Sequence, residues 1–211
     1  MTNADGSCFI VAEIGSNHCG NLLLAKDHIR LAAKAGVNCV KFQHFKVDKL
    51  YPPFGNADYL GGKNLYDILK PYEVPDDWIP HLAGYALGCG VDFASTPFYL
   101  DAVDLLEPFV RFFKVASFEL TWHELVRKCA DTGKPVILST GGATTADILD
   151  ALRATGIGKF DKDRLALLHC TSKYPAPDEQ LNLQVIRYWL SGGPDNCAGL
   201  EWDLHEHCDQ I

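Results

Sequence analysis

Two lysines stand where the chain otherwise reads as apolar strand. In "CVKFQHF" (39–45) Lys41 and Gln43 interrupt the run; in "RFFKVASFEL" (111–120) Lys114 does so, with Ser117 and Glu119 close behind. Lysine is among the residues least often fully buried without a partner. Residues two apart on a strand face one side, so Lys41 and Gln43 point the same way. If that side is the interior of a barrel, Lys41 and Lys114 converge at its top. Lys114 then has the hydroxyls of Ser117 and Ser139 nearby, and the "STGG" turn at 139–142 opens a helix whose N-terminal amides favour an anion. Such a set is a phosphate or carboxylate site. The competing reading pairs each lysine with a neighbouring carboxylate as a structural ion pair.

The elements that must position these residues are legible from periodicity. Apolar runs at 9–15, 39–45, 91–98, 111–117, 135–141, 165–170 and 197–202 read as strands. Amphipathic stretches such as "LLLAKDHIRLAAKAG", "DDWIPHLAGYALGCG", "TWHELVRKCADTG" and "TTADILDALRATG" read as helices, each ending in glycine just before the next strand. The alternation implies parallel strands joined by right-handed crossovers. An open doubly wound sheet and a (β/α)8 barrel both fit, but "EIGSNHCGN" lacks the G-x-G-x-x-G loop of the former. Nearly every strand turns polar at its C-terminal end: Glu13, Lys41 with Gln43, Ser95 with Thr96, Lys114 with Ser117 and Glu119, Ser139 with Thr140, His169 with Thr171. Barrel enzymes build sites from that rim, so the expectation is an α/β fold of the (β/α)8 TIM-barrel type. The long connection 46–75 reads as a lid or substrate-binding excursion. No second domain is visible.

Composition narrows the partners. Nineteen basic against 27 acidic side chains give a net charge of −8 without a basic cluster, which argues against nucleic acid. The apolar runs are short of a membrane span and no leader pattern opens the chain, so a soluble cytoplasmic protein is expected. Eight scattered cysteines with no C-x-x-C read as reduced thiols, with Cys39, Cys89, Cys129 and Cys170 in apolar contexts.

Seven segments then carry a resemblance. "AEIGSNHCGN", "AAKAGVNCVKFQ", "LYDILK", "STPF", "FKVASFE", "TGKPVILSTGGAT" and "LLHCTSKYPAP" occur in this order over residues 8 to 183. Together they resemble the sialic acid synthase family, the N-acetylneuraminate and pseudaminic acid synthases. The resemblance implies condensation of phosphoenolpyruvate with an N-acetylated amino sugar, of the N-acetylmannosamine type or a diacetamido-trideoxyhexose, to a nonulosonic acid and phosphate. "SFE" at 117–119 and "LYDILK" with "VPDDW" resemble the pseudaminic branch. By the same resemblance Lys41, Lys114, Ser117, Ser139 and Ser172 fall on phosphoenolpyruvate-binding positions. Glu13, Gln43, Asn56, Thr96, Glu119 and Tyr174 fall on the amino-sugar side, and Glu13, Lys41, Lys114 and Glu119 are the implied catalytic set.

The family's strand-seven motif, Gly-x-Ser-Asp-His, is replaced by "AGLEWDLHEHC", and the chain reaches Ile211 before an eighth strand or the family's antifreeze-like domain. The expectation is therefore an incomplete barrel over 1–211, lacking strand eight. A divalent metal, manganese or magnesium, is implied, with an incomplete ligand set for which His205, His207, Glu201 and Asp203 are the candidates. Histidines two apart lack the i, i+4 spacing that a helical metal site favours, so a surface segment is the other reading of "HEHC". His18 and His44 are expected at the surface or behind the site, and His169 as a support for strand six. A homodimer or larger assembly is expected from the uncovered strand edges, with little manganese-dependent turnover by the chain itself. A non-catalytic relic that keeps its anion pocket is the alternative function.

Overall fold

Parallel strands alternate with helices from Val11 to Leu204, as the periodicity requires. The computed structural model describes residues 6–53, 64–157, 161, 163–173, 176–191 and 201–204, the last stretch by its backbone. The chain divides into two compact units, residues 2–111 and 112–211.

The first unit contains β1 (Val11–Gly15), α1 (Leu22–Lys34), β2 (Cys39–His44), α2 (Val47–Leu50), α3 (Leu65–Leu69), α4 (Trp78–Gly88), β3 (Asp92–Pro97) and α5 (Leu100–Leu106). Asn21 starts α1, its side chain accepting from the Leu23 and Leu24 N–H groups. β2 pairs in parallel with β1 and β3, setting Lys41 level with Glu13 and with Ala94, and Gln43 level with Thr96. Between Glu13 and Gly15 the register slips, so Gly15 rather than Ile14 stands opposite Phe42. Gly15 has a φ of +55°, which fits a bulge residue in the left-handed region. Side chains of the opposite parity form the core: Val40, Phe42 and Phe93 lie with Ile29 of α1, Leu82 of α4 and Val103 of α5, all buried.

The second unit contains β4 (Phe113–Val115), α6 (His123–Asp131), β5 (Val136–Ser139), α7 (Thr145–Thr155), β6 (Leu165–His169), α8 (Gln184–Leu190) and β7 (Glu201–Leu204). Each strand pairs in parallel with the next, and Lys114 stands level with Ile137. Ser139, two residues on from Ile137, therefore shares the face of Lys114. Val115, Leu138 and Leu167 line the other face and are buried, as are Leu125, Val126 and Cys129 of α6 and Ala151 of α7.

The α/β class and parallel pairing agree with expectation. Among the described residues there are seven strands and no eighth, so the agreement with a (β/α)8 barrel is in class and alternation, not in closure. The last described strand is Glu201–Leu204; it overlaps the expected 197–202 at its first two residues, and 197–200 lie outside the described residues. The glycines that end the four amphipathic stretches, Gly36, Gly90, Gly133 and Gly156, all have positive φ.

Candidate active site

In the first unit Lys41 is only 3% exposed, and its ammonium pairs with the Glu13 carboxylate. It also reaches Thr96 Oγ1 at 3.5 Å. The ion-pair alternative thus describes Lys41, but its partner is itself one of the expected site residues. Apart from Lys41, the shielded carboxylate oxygens of Glu13 have no hydrogen-bond donor among the described residues. Carboxylate acceptors left unfilled in a buried setting suit a hydroxyl-bearing ligand. Gln43 Oε1 accepts from Ser16 Oγ at 3.3 Å, a contact the sequence did not announce. That bond holds the amide so that its NH2 donors face away from Ser16.

The two histidines here are not at the surface. His44 is fully buried, with Nε2 2.9 Å from the Tyr99 hydroxyl and 3.3 Å from Asp76 Oδ1. Asp76 is itself paired with Lys46 at 2.7 Å. Burial first, and Lys46 second, push the His44 pKa down to about 4 against the opposing pull of Asp76 and Glu73. His18 is also fully buried; its Nδ1 accepts the Gly20 N–H at 3.1 Å, and burial with His28 lowers its pKa. Both stay neutral, and both pack against aromatic rings.

In the second unit Lys114 is 6% exposed and Ser139 1%. The Ser139 hydroxyl has no hydrogen-bond partner among the described residues. Ser117, on the turn after β4, accepts the Gly141 N–H at 3.1 Å, so its own hydroxyl hydrogen is directed elsewhere. Ser172 lies against the same Gly141. Glu119 ends that turn; burial raises its pKa, while its own backbone N–H and Lys114 pull the other way. Its Oε2 is buried without a hydrogen-bond partner among the described residues. His169 Nε2 donates to the Leu181 carbonyl at 2.7 Å and so ties the end of β6 to the following loop, as expected.

One expectation needs correction. The N-terminus of α7 is not an open anion site, because the chain supplies its own anion. Thr144 caps the Asp147 N–H, and the Asp147 carboxylate accepts from the Thr144 N–H and hydroxyl at 2.8 and 2.6 Å.

Asn56, Tyr174, His205 and His207 lie outside the described residues, and Glu201 and Asp203 sit on β7, where only the backbone is described. Among the described residues no group of three or more His, Cys, Asp or Glu side chains could hold a metal ion. No helix there is long and apolar enough to cross a membrane. Cys39 and Cys129 are free, buried thiols with pKa pushed up to about 12 by burial, whereas Cys89 and Cys170 are partly exposed.

Residues 28–193 match the sequence profile of the NeuB family. The chain belongs to the NeuB family. It is 35% identical over 185 residues to the N,N'-diacetyllegionaminic acid synthase of Campylobacter jejuni, covering 84% of this chain and 55% of that protein. It is 34% identical over 192 residues to the pseudaminic acid synthase of the same organism, covering 87% and 55%. The crystal structure of the N-acetylneuraminic acid (sialic acid) synthetase of Leptospira borgpetersenii, in complex with citrate, superposes with a TM-score of 0.80 at 30% identity, over 94% of this chain and 65% of that one. The chain spans about half the length of the curated NeuB relatives it matches. Near-equal identity to the legionaminic and pseudaminic enzymes leaves the pseudaminic branch without preference.

Proposed function

We propose that this chain carries the reacting side chains of a phosphoenolpyruvate-dependent nonulosonic acid synthase, which joins phosphoenolpyruvate to an N-acetylated amino sugar and releases phosphate. The observation that carries the reading is the Ser139 hydroxyl, buried without a partner among the described residues on the same sheet face as the buried Lys114. Buried polar groups are normally partnered, so a bare donor beside a buried cation favours an anionic ligand as the missing partner. Ser117, Ser172 and Lys41 are assigned to the same ligand. Glu13, Gln43, Asn56, Thr96, Glu119 and Tyr174 are assigned to the sugar.

In this reaction C3 of phosphoenolpyruvate supplies the electron pair that forms the new carbon–carbon bond to the sugar aldehyde. Water adds at C2, and phosphate leaves with cleavage of its C–O bond. Lysine and serine donors stabilise the charge that grows on the phosphate and carboxylate. Glu119 is suited to deliver a proton to the aldehyde oxygen, since burial favours its protonated form. The proposal includes a divalent metal and assembly into a homodimer or larger species; the steps above use only this chain's side chains. Calorimetric titration of the chain with phosphoenolpyruvate is expected to saturate. Lys114→Ala should weaken it at least about tenfold, since a lost charge-assisted hydrogen bond costs roughly 1.5–3 kcal/mol. Equal affinity in the variant removes Lys114 from the site.

A second reading, a binding module without turnover, is favoured by one observation: the charge of Lys41 is already matched by Glu13. Phosphate release from phosphoenolpyruvate that depends on added amino sugar separates the two readings. Saturable binding without such release supports the module.

A further inference from the structure

We propose that Gly141 is a positioning residue, whose missing side chain lets the Ser117 and Ser172 hydroxyls close on one point and form a single oxyanion cradle. The inference rests on the reading of the second unit as the phosphoenolpyruvate side. Two adjacent glycines follow β5, and they are glycines for different reasons. Gly142 has a φ of +71°, where any side chain is strained. The φ of Gly141 lies outside the left-handed region and does not by itself call for glycine. Space is what forbids one there: a Cβ on Gly141 would stand 2.8 Å from Ser172 Oγ, 2.9 Å from Ser117 Oγ and 3.3 Å from the Cys170 Cβ.

These neighbours come from three different strand ends. Ser117 follows β4, Gly141 follows β5, and Cys170 with Ser172 follows β6. No single segment forces them together, and the glycine is the point at which they meet. Its N–H donates to Ser117 Oγ at 3.1 Å, which occupies a lone pair of that oxygen and turns its hydrogen outward. Two residues earlier, Ser139 holds a buried hydroxyl with no partner among the described residues. A ligand that accepts several hydrogen bonds and donates none, a carboxylate or a phosphate, fits such a set. Alanine at 141 would displace at least one of the two serine oxygens and open the cradle while leaving every charge in place.

The test is a double-mutant cycle read by calorimetric titration with phosphoenolpyruvate on four full chains: wild type, Gly141→Ala, Ser172→Ala, and both together, each with a thermal melt. Gly141→Ala is expected to weaken binding at least about tenfold. In the Ser172→Ala background, where one clashing oxygen is gone, the same change should cost at least about threefold less. A glycine needed only by the backbone or for folding would cost the same in both backgrounds, and that result overturns the proposal, as does wild-type affinity in Gly141→Ala. Should Gly141→Ala fail to fold, the double variant decides: affinity within about threefold of Ser172→Ala supports the proposal, and a larger drop overturns it. Absence of binding by the wild-type chain to both phosphoenolpyruvate and inorganic phosphate is a different failure. It removes the functional reading itself, and this inference with it.

Discussion

Ser139 holds a buried hydroxyl with no partner among the described residues, a state that costs a folded chain roughly 1–3 kcal/mol when nothing fills it. Removing the hydroxyl therefore pulls stability and binding in opposite directions. Ser139→Ala is expected to melt at the same temperature as wild type or a few degrees higher, and to bind phosphoenolpyruvate several-fold more weakly. A variant that loses stability and keeps its affinity would show that the hydroxyl has a structural partner instead. His44 makes a second prediction, on pH. Its folded pKa of about 4 lies below the ordinary 6.5, so between those values the unfolded chain binds the extra proton. The stability it contributes is complete above pH 6.5 and falls away as pH drops toward 4. Between pH 7 and pH 5 the loss from this group is about 2 kcal/mol. Urea melts at the two pH values should show a smaller drop for His44→Gln than for wild type; an equal drop would place the titration on another group. The lysines, the strand-end serines and Glu119 were legible in the sequence because polar residues in apolar runs are conspicuous. The burial of His18 and His44 was not, because Tyr99 and Asp76, which enclose His44, lie far from it along the chain.

Strands and the four long amphipathic helices were legible because each repeats its period often enough to be recognised. α5 and α8, seven residues each, were not. Two turns carry too few repeats to stand out, and α5 is fixed instead by burying Ala102, Val103 and Leu106. The last strand runs on to Leu204, two residues past the expected end, because the polar residues of "EWDL" do not stand out as strand. At the start of α7 the sequence suggested an anion site, and the structure has a capping box. The hydroxyl and N–H of Thr144 also hold the Asp147 carboxyl below its usual range. Thr144→Ala is expected to lower stability by about 1 kcal/mol, measured by urea denaturation, with phosphoenolpyruvate affinity within about twofold of wild type. A tenfold loss of affinity would return the helix terminus to the binding site.

At the scale of the molecule, the assigned side chains divide between the units: Glu13, Lys41, Gln43 and Thr96 in residues 2–111, and Lys114, Ser117, Glu119, Ser139 and Ser172 in residues 112–211. The split follows the two ends of the proposed reaction, the sugar largely on the first and the phosphoenolpyruvate largely on the second. Native-state hydrogen exchange with and without phosphoenolpyruvate reads this directly. Slower exchange is expected in 114–120 and 139–143 of the second unit. Protection confined to the first unit would reverse the assignment. Family and fold class were legible from motifs spread along the chain, whereas the convergence of Ser117, Gly141 and Ser172 was not, since spacing in sequence carries no information about contact between loops.

The slip in β1 has a consequence for how this segment tolerates changes of length. Between Glu13 and Gly15 the strand advances two residues while β2 advances one, and Ser16 thereby arrives beside Gln43. Ile14 is the surplus residue, so a chain shortened there by one would keep both Glu13 opposite Lys41 and Ser16 beside Gln43. Shortened at Phe42 instead, β2 would turn Gln43 to the opposite face and carry every following side chain with it. Length can drift at the bulge without the site noticing; one position across the ladder it cannot.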